Sequence, residues 1–191
     1  AVMSIKNPEH EVVTKKAIEM LDPNKSVFCS YHASSHTGIQ ERAATTVLNA
    51  RLSPVMRSFL QGVETALSDL SLTDQLVVIR GDGHPMGLEK ATRHAADTFA
   101  SGPAASIAYG ASFSQTADAV IVDVGGTTTD ISIIRNNHPV ISKEGCQIGK
   151  WQTHVNAVDM YTVGCGGDSL ISLKRNPIEV GAKKVIPGSI E

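Results

Sequence analysis

The chain has 191 residues, of which 41% are hydrophobic and 4% aromatic, and this length suits one domain or two small domains with a real core. Its formal net charge is −2, and charges of both signs are scattered without a basic run, which argues against nucleic-acid and anionic-membrane partners. The apolar runs are far shorter than the roughly 18 residues that span a bilayer, and the first residues lack a signal-peptide core, so we expect a cytoplasmic protein.

Helices are predicted to dominate the first half of the chain. Apolar residues recur at helical spacing over 8–21, and Asp22-Pro23-Asn24 is expected to end that helix. A short strand is expected over 26–31. Two more helices are predicted, one over 40–52 and one beginning at Pro54, because proline costs no hydrogen bond in the first turn of a helix.

Three further elements complete the helix-rich half. The continuous apolar run over 75–80 predicts a strand that is buried on both faces. A helix is expected over 88–100. Another helix is predicted directly afterwards, because Ser101 can cap a helix and Pro103 suits its first turn.

Strands are predicted to dominate the second half of the chain. The apolar segments 117–123 and 129–134 are expected to pair across a tight turn. Asn136-Asn137 then turns the chain into a third strand over 138–142, which completes a β-meander. A second glycine-rich segment, 162–169, follows the meander.

The turn between the first two strands of the meander has the composition of a phosphate-binding loop. Glycine tolerates positive φ and has no Cβ, so the main-chain amides of a paired-glycine turn can approach an anion closely. The threonines that follow add hydroxyl donors to these amides. The residues expected to cradle a phosphate are Gly125, Gly126, Thr127, Thr128 and Thr129.

Two acidic residues, Asp123 and Asp130, flank this turn at the two strand ends. Carboxylates repel a phosphate directly, but they can hold Mg²⁺ through its waters, and the metal then neutralises the phosphate oxygens. The alternative is a plain Gly-Gly hairpin whose threonines simply favour strands. The complete D-x-G-G-T-T-T-D string between two apolar strands favours phosphate binding over this alternative.

The string resembles the phosphate hairpin of the actin-like ATPase superfamily, to which sugar kinases also belong. More narrowly, the chain resembles the hydantoinase A/5-oxoprolinase family in several ordered motifs. Tyr161 and Asp168 depart from the pattern, because members of the family often carry His and Gly there. The matching segments are Glu41-Arg42 with Thr46 and Asn49, Gly81-Asp82-Gly83, Ser101-Gly102-Pro103-Ala104, Asp123 to Asp130, Asp159 to Ser169, and Val180-Gly181-Ala182 with Pro187-Gly188.

The resemblance implies an α/β fold. We expect a partial actin-like (ribonuclease H-like) ATPase core, with a mixed sheet and a β-meander flanked by helices. Residues 1–115 correspond to the helix-rich end of a first lobe, and residues 116–191 to the start of a second lobe that carries the phosphate-binding hairpin. The family's other D-x-G-G-T-x-T-D hairpin is absent here, so the resemblance implies a central part of a longer protein and one half of a nucleotide site.

The resemblance also implies an activity, the ATP-dependent hydrolysis of a cyclic amide such as a hydantoin or 5-oxoproline. The expected cofactors are ATP and Mg²⁺, with Asp123 and Asp130 holding the metal or orienting water. Phosphorylation of the carbonyl oxygen would make a poor electrophile open to attack by water. Two alternatives stay open, a sugar-type kinase and an ATP-driven, non-catalytic activator of a partner enzyme.

The second glycine-rich segment has two candidate roles. Gly164, Gly166 and Gly167 either line the nucleotide or substrate side of the cleft or form a tight turn between packed elements. The expected partners are a small cyclic-amide substrate and the remainder of the chain's own protein, with a B-type hydantoinase subunit as a further candidate. The chain alone is expected to be inactive.

Overall fold

A computed structural model describes residues 1–72, 76–142 and 144–172, together with the backbone of 179–184. The predicted positions Gln75 and Pro187-Gly188 lie outside the described residues. Contacts divide the chain into two units. The first unit contains Ala1–Ser101 and Ser142–Ala157, and the second contains Gly102–Ile141 and the described residues from Val158 onwards.

The first unit is built mainly from helices. Two short antiparallel strand pairs, β1 with β2 and β6 with β7, accompany them. No helix among the described residues has the length and apolar character needed to cross a membrane. The elements are α1 Glu9–Leu21, α2 Ser30–Ala33, α3 Ile39–Ser68, β1 Val78–Ile79, β2 Pro85–Met86, α4 Leu88–Arg93, a 3-10 helix Ala95–Thr98, β6 Gln147–Ile148 and β7 Trp151–Gln152.

One face of α3 is buried by polar rather than apolar side chains near its start. Arg42 is 1% exposed, and its guanidinium donates to Ser30 Oγ and to the four carbonyl oxygens of Ala1, Val2, His36 and Thr37 at 2.8–3.1 Å. Asn49 Oδ1 accepts a hydrogen bond from the buried Ala96 amide at 2.8 Å. These side chains compensate groups that burial would otherwise leave unsatisfied, which makes this helix a scaffold for several loops.

Several predicted elements of the first unit differ from the structure. The strand expected over 26–31 is wrong, because Ser30 begins α2 and donates both its amide and its hydroxyl to the Glu11 carboxylate, at 2.6 and 2.7 Å. The helix break expected at Pro54 is also wrong. Pro54 lies inside the continuous 30-residue α3, where the buried contacts of Asn49 and Leu60 on either side outweigh one missing hydrogen bond.

Of three other predictions in this unit, one is confirmed and two are confirmed in part. The helix over 8–21 appears as α1, which Asp22 ends as expected. The strand expected over 75–80 is limited to Val78–Ile79, and both residues are half-buried. The helix expected over 88–100 is interrupted at His94, where α4 gives way to the 3-10 turn that buries Ala95 and Ala96.

The second unit consists of one helix and antiparallel strands. β3 (Ala119–Val124) pairs along its whole length with the central strand β4 (Thr129–Arg135). The other edge of β4 is shared by β8 (Met160–Val163) and then β5 (His138–Pro139). β9 and β10 form a separate pair. The elements are α5 Ser101–Phe113, β3 Ala119–Val124, β4 Thr129–Arg135, β5 His138–Pro139, β8 Met160–Val163, β9 Ser169–Ser172 and β10 Glu179–Lys184.

The predicted β-meander and the predicted helix from Ser101 are both confirmed in the second unit. All strand pairings within the described part of the chain are antiparallel, so the expected mixed sheet is not found there. Ala104 and Ile107 of α5 pack with Ile134 and Val158 in a small buried core. On β3, by contrast, Val120, Val122 and Val124 are exposed, so this strand buries alternate side chains.

Candidate functional site

The candidate site is the hairpin that joins β3 to β4. The two strands pair from Ala119 opposite Ile134 to Val124 opposite Thr129, so only Gly125, Gly126, Thr127 and Thr128 form the connection. The Gly125 amide closes the turn by donating to the Thr128 carbonyl at 2.9 Å. Gly125, Gly126 and Thr127 are exposed at the tip. The turn therefore projects from the sheet and is open to a ligand.

Main-chain amides of this turn remain available for an anion. Among the described residues, the amides of Gly126 and Thr128 have no hydrogen-bond acceptor. Neither Gly125 nor Gly126 adopts the left-handed backbone that was expected of a paired-glycine turn. Glycine serves here because it has no Cβ: an added Cβ at Gly126 would stand 3.0 Å from Asp168 Oδ2, so the carboxylate would have to shift slightly.

The two flanking acids, Asp123 and Asp130, lie directly opposite each other in the β3–β4 register. Side chains in such cross-strand pairs share a face of the sheet and repel each other when they carry like charges. Thr162 of β8 donates its hydroxyl to Asp130 Oδ1 at 2.6 Å, which orients that carboxylate. A cation near the pair would relieve the repulsion, so the donor set suits a metal.

The carboxylate pair fits Mg²⁺ better than a metal held entirely by protein. Within the described ranges, no group of three or more His, Cys, Asp or Glu side chains could hold a metal ion. Mg²⁺ usually keeps several waters and is bound by one or two carboxylates together with substrate phosphates. Asp123 and Asp130 offer that limited set, with the remaining ligands left to water and phosphate.

The second glycine-rich segment packs directly against the hairpin. The Gly167 amide donates to the Gly125 carbonyl at 2.9 Å, and the Asp168 amide donates to the Gly126 carbonyl at 2.7 Å. Thr129 Oγ1 donates to the Cys165 carbonyl at 2.6 Å, so this hydroxyl proton is engaged by the protein. The structure thus brings Gly166 and Gly167 to the hairpin, while Gly164 is exposed in the same loop.

Two residues of this arrangement were not singled out as site residues from the sequence. Thr162 reaches Asp130 only because β8 pairs with β4, and Asp168 reaches Gly126 only because the second loop packs on the first. Both contacts join residues more than 30 positions apart, and neither has a local signature. The D-x-x-T spacing of Asp159 and Thr162 was visible as a motif but did not indicate this contact.

Comparison with known proteins assigns the chain to a protein family. The model of the hydantoinase/oxoprolinase family matches residues 42–186. An uncharacterised protein of Methanocaldococcus jannaschii is 28% identical over 94% of the chain, and the caprolactamase alpha subunit of Pseudomonas jessenii is 25% identical over 90%. The chain spans 29% and 25% of the lengths of these two relatives.

Two solved structures resemble the chain closely enough to establish its fold. A crystal structure of the ATP-dependent caprolactamase from Pseudomonas jessenii has a TM-score of 0.76 at 24% identity, covering 92% of this chain and 26% of that one. A nucleotide-free acetone carboxylase structure has a TM-score of 0.74 at 23% identity, covering 96% of this chain and 27% of that one. The chain shares the fold of these two structures, and this fold is α/β, as expected.

Proposed function

Because the chain belongs to the hydantoinase/oxoprolinase family, we propose that it is the part of an ATP-dependent cyclic-amide hydrolase that binds the terminal phosphates of the nucleotide. The observation that carries the proposal is the exposed β3–β4 turn, whose Gly126 and Thr128 amides have no acceptor among the described residues. Successive main-chain amides are a common way to bind phosphate. A plain hairpin turn has no need of the flanking acids.

Each residue of the hairpin has a defined part in this proposal. The main-chain amides of Gly126 and Thr128, with the Thr128 hydroxyl, donate to phosphate oxygens, and Thr127 lies between them at the exposed tip of the turn. The Thr129 hydroxyl instead supports the turn through Cys165. Asp123 and Asp130 hold Mg²⁺, which supplies the positive charge that phosphoryl transfer requires. Gly164, Gly166 and Gly167 lie at the edge of this nucleotide site.

The substrate proposed for the complete protein is a cyclic amide of the hydantoin, 5-oxoproline or caprolactam type. Transfer of the γ-phosphoryl group to the amide carbonyl oxygen releases ADP and makes the carbonyl carbon a better electrophile. Water then adds to that carbon, and collapse of the adduct breaks the ring C–N bond, frees the amine and leaves an acyl phosphate. A second water hydrolyses the acyl phosphate to the ring-opened carboxylate and free phosphate. The pre-oriented amides of the turn stabilise charge on the phosphate oxygens during transfer.

The chain spans about a quarter of the matched relatives, so we propose that other chain segments complete the site. In this arrangement the rest of the same protein provides a second phosphate hairpin and the adenosine pocket. Because one relative is named a subunit alpha, a second subunit is the proposed additional partner. We further propose that the 191-residue chain alone does not turn over substrate and that the protein is cytoplasmic.

The test uses the complete protein with any co-purifying subunit, Mg²⁺-ATP and each candidate cyclic amide. We expect ring opening that depends on ATP and releases free phosphate in equal amount. Asp130→Asn should lower kcat by roughly 10²-fold, as removal of one electrostatic contact to the transition state does. Asp118→Asn is the matched control, because its side-chain oxygen can still accept from the Asn136 amide outside the turn.

The same assay separates the alternative functions. A phosphorylated product in place of free phosphate would identify a sugar-type kinase. ATP hydrolysis that depends on a protein partner and ignores cyclic amides would identify an activator. Phosphate release that depends on a ketone and bicarbonate would identify a carboxylase, which the likeness to the acetone carboxylase structure favours as second candidate. Absence of ATP binding by the complete protein would contradict all four.

A further inference from the structure

We infer that the second glycine-rich loop, Gly164 to Asp168, positions the amides of the β3–β4 turn for phosphate, and that Gly166 is the residue on which this positioning depends. The inference rests on the proposed function and adds a positioning element to that site. It begins from two hydrogen bonds, in which the Gly167 and Asp168 amides donate to the Gly125 and Gly126 carbonyls at 2.9 and 2.7 Å. Two successive peptide groups of the turn are thus held from the same side.

The direction of the turn's amides follows from peptide geometry. In a planar trans peptide, the C=O of one residue and the N–H of the next point in opposite directions. The Gly125 carbonyl faces the second loop, so the Gly126 N–H faces away from it. The Gly126 carbonyl also faces the second loop, so the Thr127 N–H is directed away in the same manner. The loop therefore turns two neighbouring amides toward the exposed side of the hairpin, as an anion-binding nest requires.

The loop is itself held in place by its own bonds. The Gly166 amide donates to Ser169 Oγ at 3.0 Å, and the Cys165 carbonyl accepts from Thr129 Oγ1 at 2.6 Å. The Ser169 amide donates back to the Gly166 carbonyl at 2.9 Å. Bonds on both sides of Gly166 thus fix its main chain, which leaves little freedom to accommodate a larger residue.

Gly166 has no room for a side chain. An added Cβ would stand 2.5 Å from the Gly125 oxygen and 2.6 Å from the Gly126 oxygen, which are the two carbonyls held by the loop. Both contacts are with main-chain atoms, so no side chain can swing aside to relieve them. Alanine at this position must separate the loop from the hairpin and release both peptide groups. The site would then keep all its donors but lose their common direction.

A glycine of the same unit that lies outside the site provides a matched control. An added Cβ at Gly102 of α5 has nothing within 4 Å. Gly102 lacks the left-handed backbone that would strain alanine. Gly102→Ala therefore adds the same methyl group without disturbing the hairpin or the second loop, and ATP binding should stay unchanged.

The experiment measures ATP, ADP and AMP binding to the complete protein in the presence of Mg²⁺ by titration calorimetry. Gly166→Ala should weaken ATP binding about 10- to 100-fold, the loss expected when two hydrogen bonds to a charged group are misdirected. AMP binding should change less than threefold, because AMP lacks the phosphates that reach the turn. A merely structural defect would weaken ATP and AMP alike, and that result would overturn the inference.

Two further measurements test the inference if the first experiment cannot be carried out. If Gly166→Ala does not fold, the test passes to Ser169→Ala, which removes the acceptor of the Gly166 amide. This variant should still weaken ATP binding more than AMP binding, and an equal change in both affinities would overturn the inference. If the unmodified protein binds no nucleotide, the proposed function fails by itself. The chemical shift of the Gly126 amide in glycine-labelled protein is then the test: it should change in Gly166→Ala but not in Gly102→Ala, and an unchanged shift in Gly166→Ala would overturn the positioning role.

Discussion

Two motifs of the family pattern use their polar groups in opposite ways. Along α3, the Arg42 guanidinium and the Asn49 amide are buried, and every contact described above joins them to main chain or to Ser30. At the β3–β4 turn, the Gly126 and Thr128 amides are left without acceptors among the described residues. A motif of polar residues can therefore stabilise the fold or bind a ligand. The two cases differ in whether the protein itself already provides hydrogen-bond partners for the polar groups.

The largest effect is expected when the buried guanidinium of Arg42 is removed. Arg42→Met would leave the part-buried carbonyls of Ala1, Val2, His36 and Thr37 without their donor and would remove the guanidinium of a residue that is itself 1% exposed. We expect a loss on the order of 3–5 kcal/mol in the free energy of unfolding, measured by urea denaturation. ATP affinity of the remaining folded protein should not change.

The control for this variant is Arg51→Met on the same helix. Arg51 is exposed, so its replacement should alter the free energy of unfolding by no more than about 0.5 kcal/mol. Equal losses in the two variants would mean that the buried hydrogen bonds of Arg42 contribute nothing beyond an ordinary surface arginine.

A smaller loss is expected when one buried acceptor is removed. Asn49→Ala leaves the buried Ala96 amide, now bonded at 2.8 Å, without a partner. This should cost about 1–3 kcal/mol in urea unfolding and leave ATP binding unchanged. Gln61→Ala, at an exposed position of the same helix, should be nearly neutral. A lowered ATP affinity in Asn49→Ala would show that the division between the two motifs is too simple.

The turn should show the reverse pattern, with binding lost and stability kept. In Gly126→Ala the new methyl group meets only the flexible Asp168 carboxylate, so unfolding should change by no more than about 0.5 kcal/mol. The methyl group hinders close approach of phosphate, and we expect about tenfold weaker ATP binding. Gly62→Ala is the matched control: it has open space inside α3 and should stabilise by about 0.5–1 kcal/mol without affecting ATP.

The same contrast explains how much the sequence predicts. The hairpin is local: two apolar strands and a paired-glycine turn lie within 16 residues, so Asp123 and Asp130 are recognisable from the amino-acid sequence alone. The hydrogen bonds from Gly167 and Asp168 join segments about 40 positions apart and depend on the β4–β8 register. The structural role of Arg42 in the Glu41-Arg42 motif could not be predicted either, because its acceptors include main-chain carbonyls that any residue could provide.

Local signals also misled where distant contacts decide. Pro54 suited a helix start, yet buried contacts on both sides carry α3 through it. The segment 26–31 suited a strand, yet Ser30 donates its amide to the Glu11 carboxylate and a helix begins at this residue. The division expected at 115/116 remains a prediction about the lobes of the longer protein. In the chain itself α5 belongs to the second unit, and 142–157 belong to the first.

The smallest expected effect is a pH dependence confined to the helix-rich unit. Burial lowers the pKa of His94 below its usual 6.5, although Asp97 opposes the shift, and burial together with His36 lowers the pKa of His154. The unfolded chain therefore binds protons that the folded chain resists. The stabilising contribution is complete above pH 6.5 and is lost as the pH falls through 6.5 toward the lower folded pKa, with a slope of at most about 1.4 kcal/mol per pH unit and histidine.

Urea denaturation between pH 8 and pH 5 measures this slope. His94→Gln should reduce this slope by up to about 1.4 kcal/mol per pH unit, the value for one proton. Gln61→Ala, at an exposed position of α3, removes no titratable group and should leave the slope unchanged. ATP binding at the turn should not follow the same titration, since the groups at the hairpin include no histidine. If unfolding and ATP binding showed the same pH dependence, the buried polar side chains of α3 and the amides of the β3–β4 turn would be energetically coupled. The two motifs would then differ only in degree.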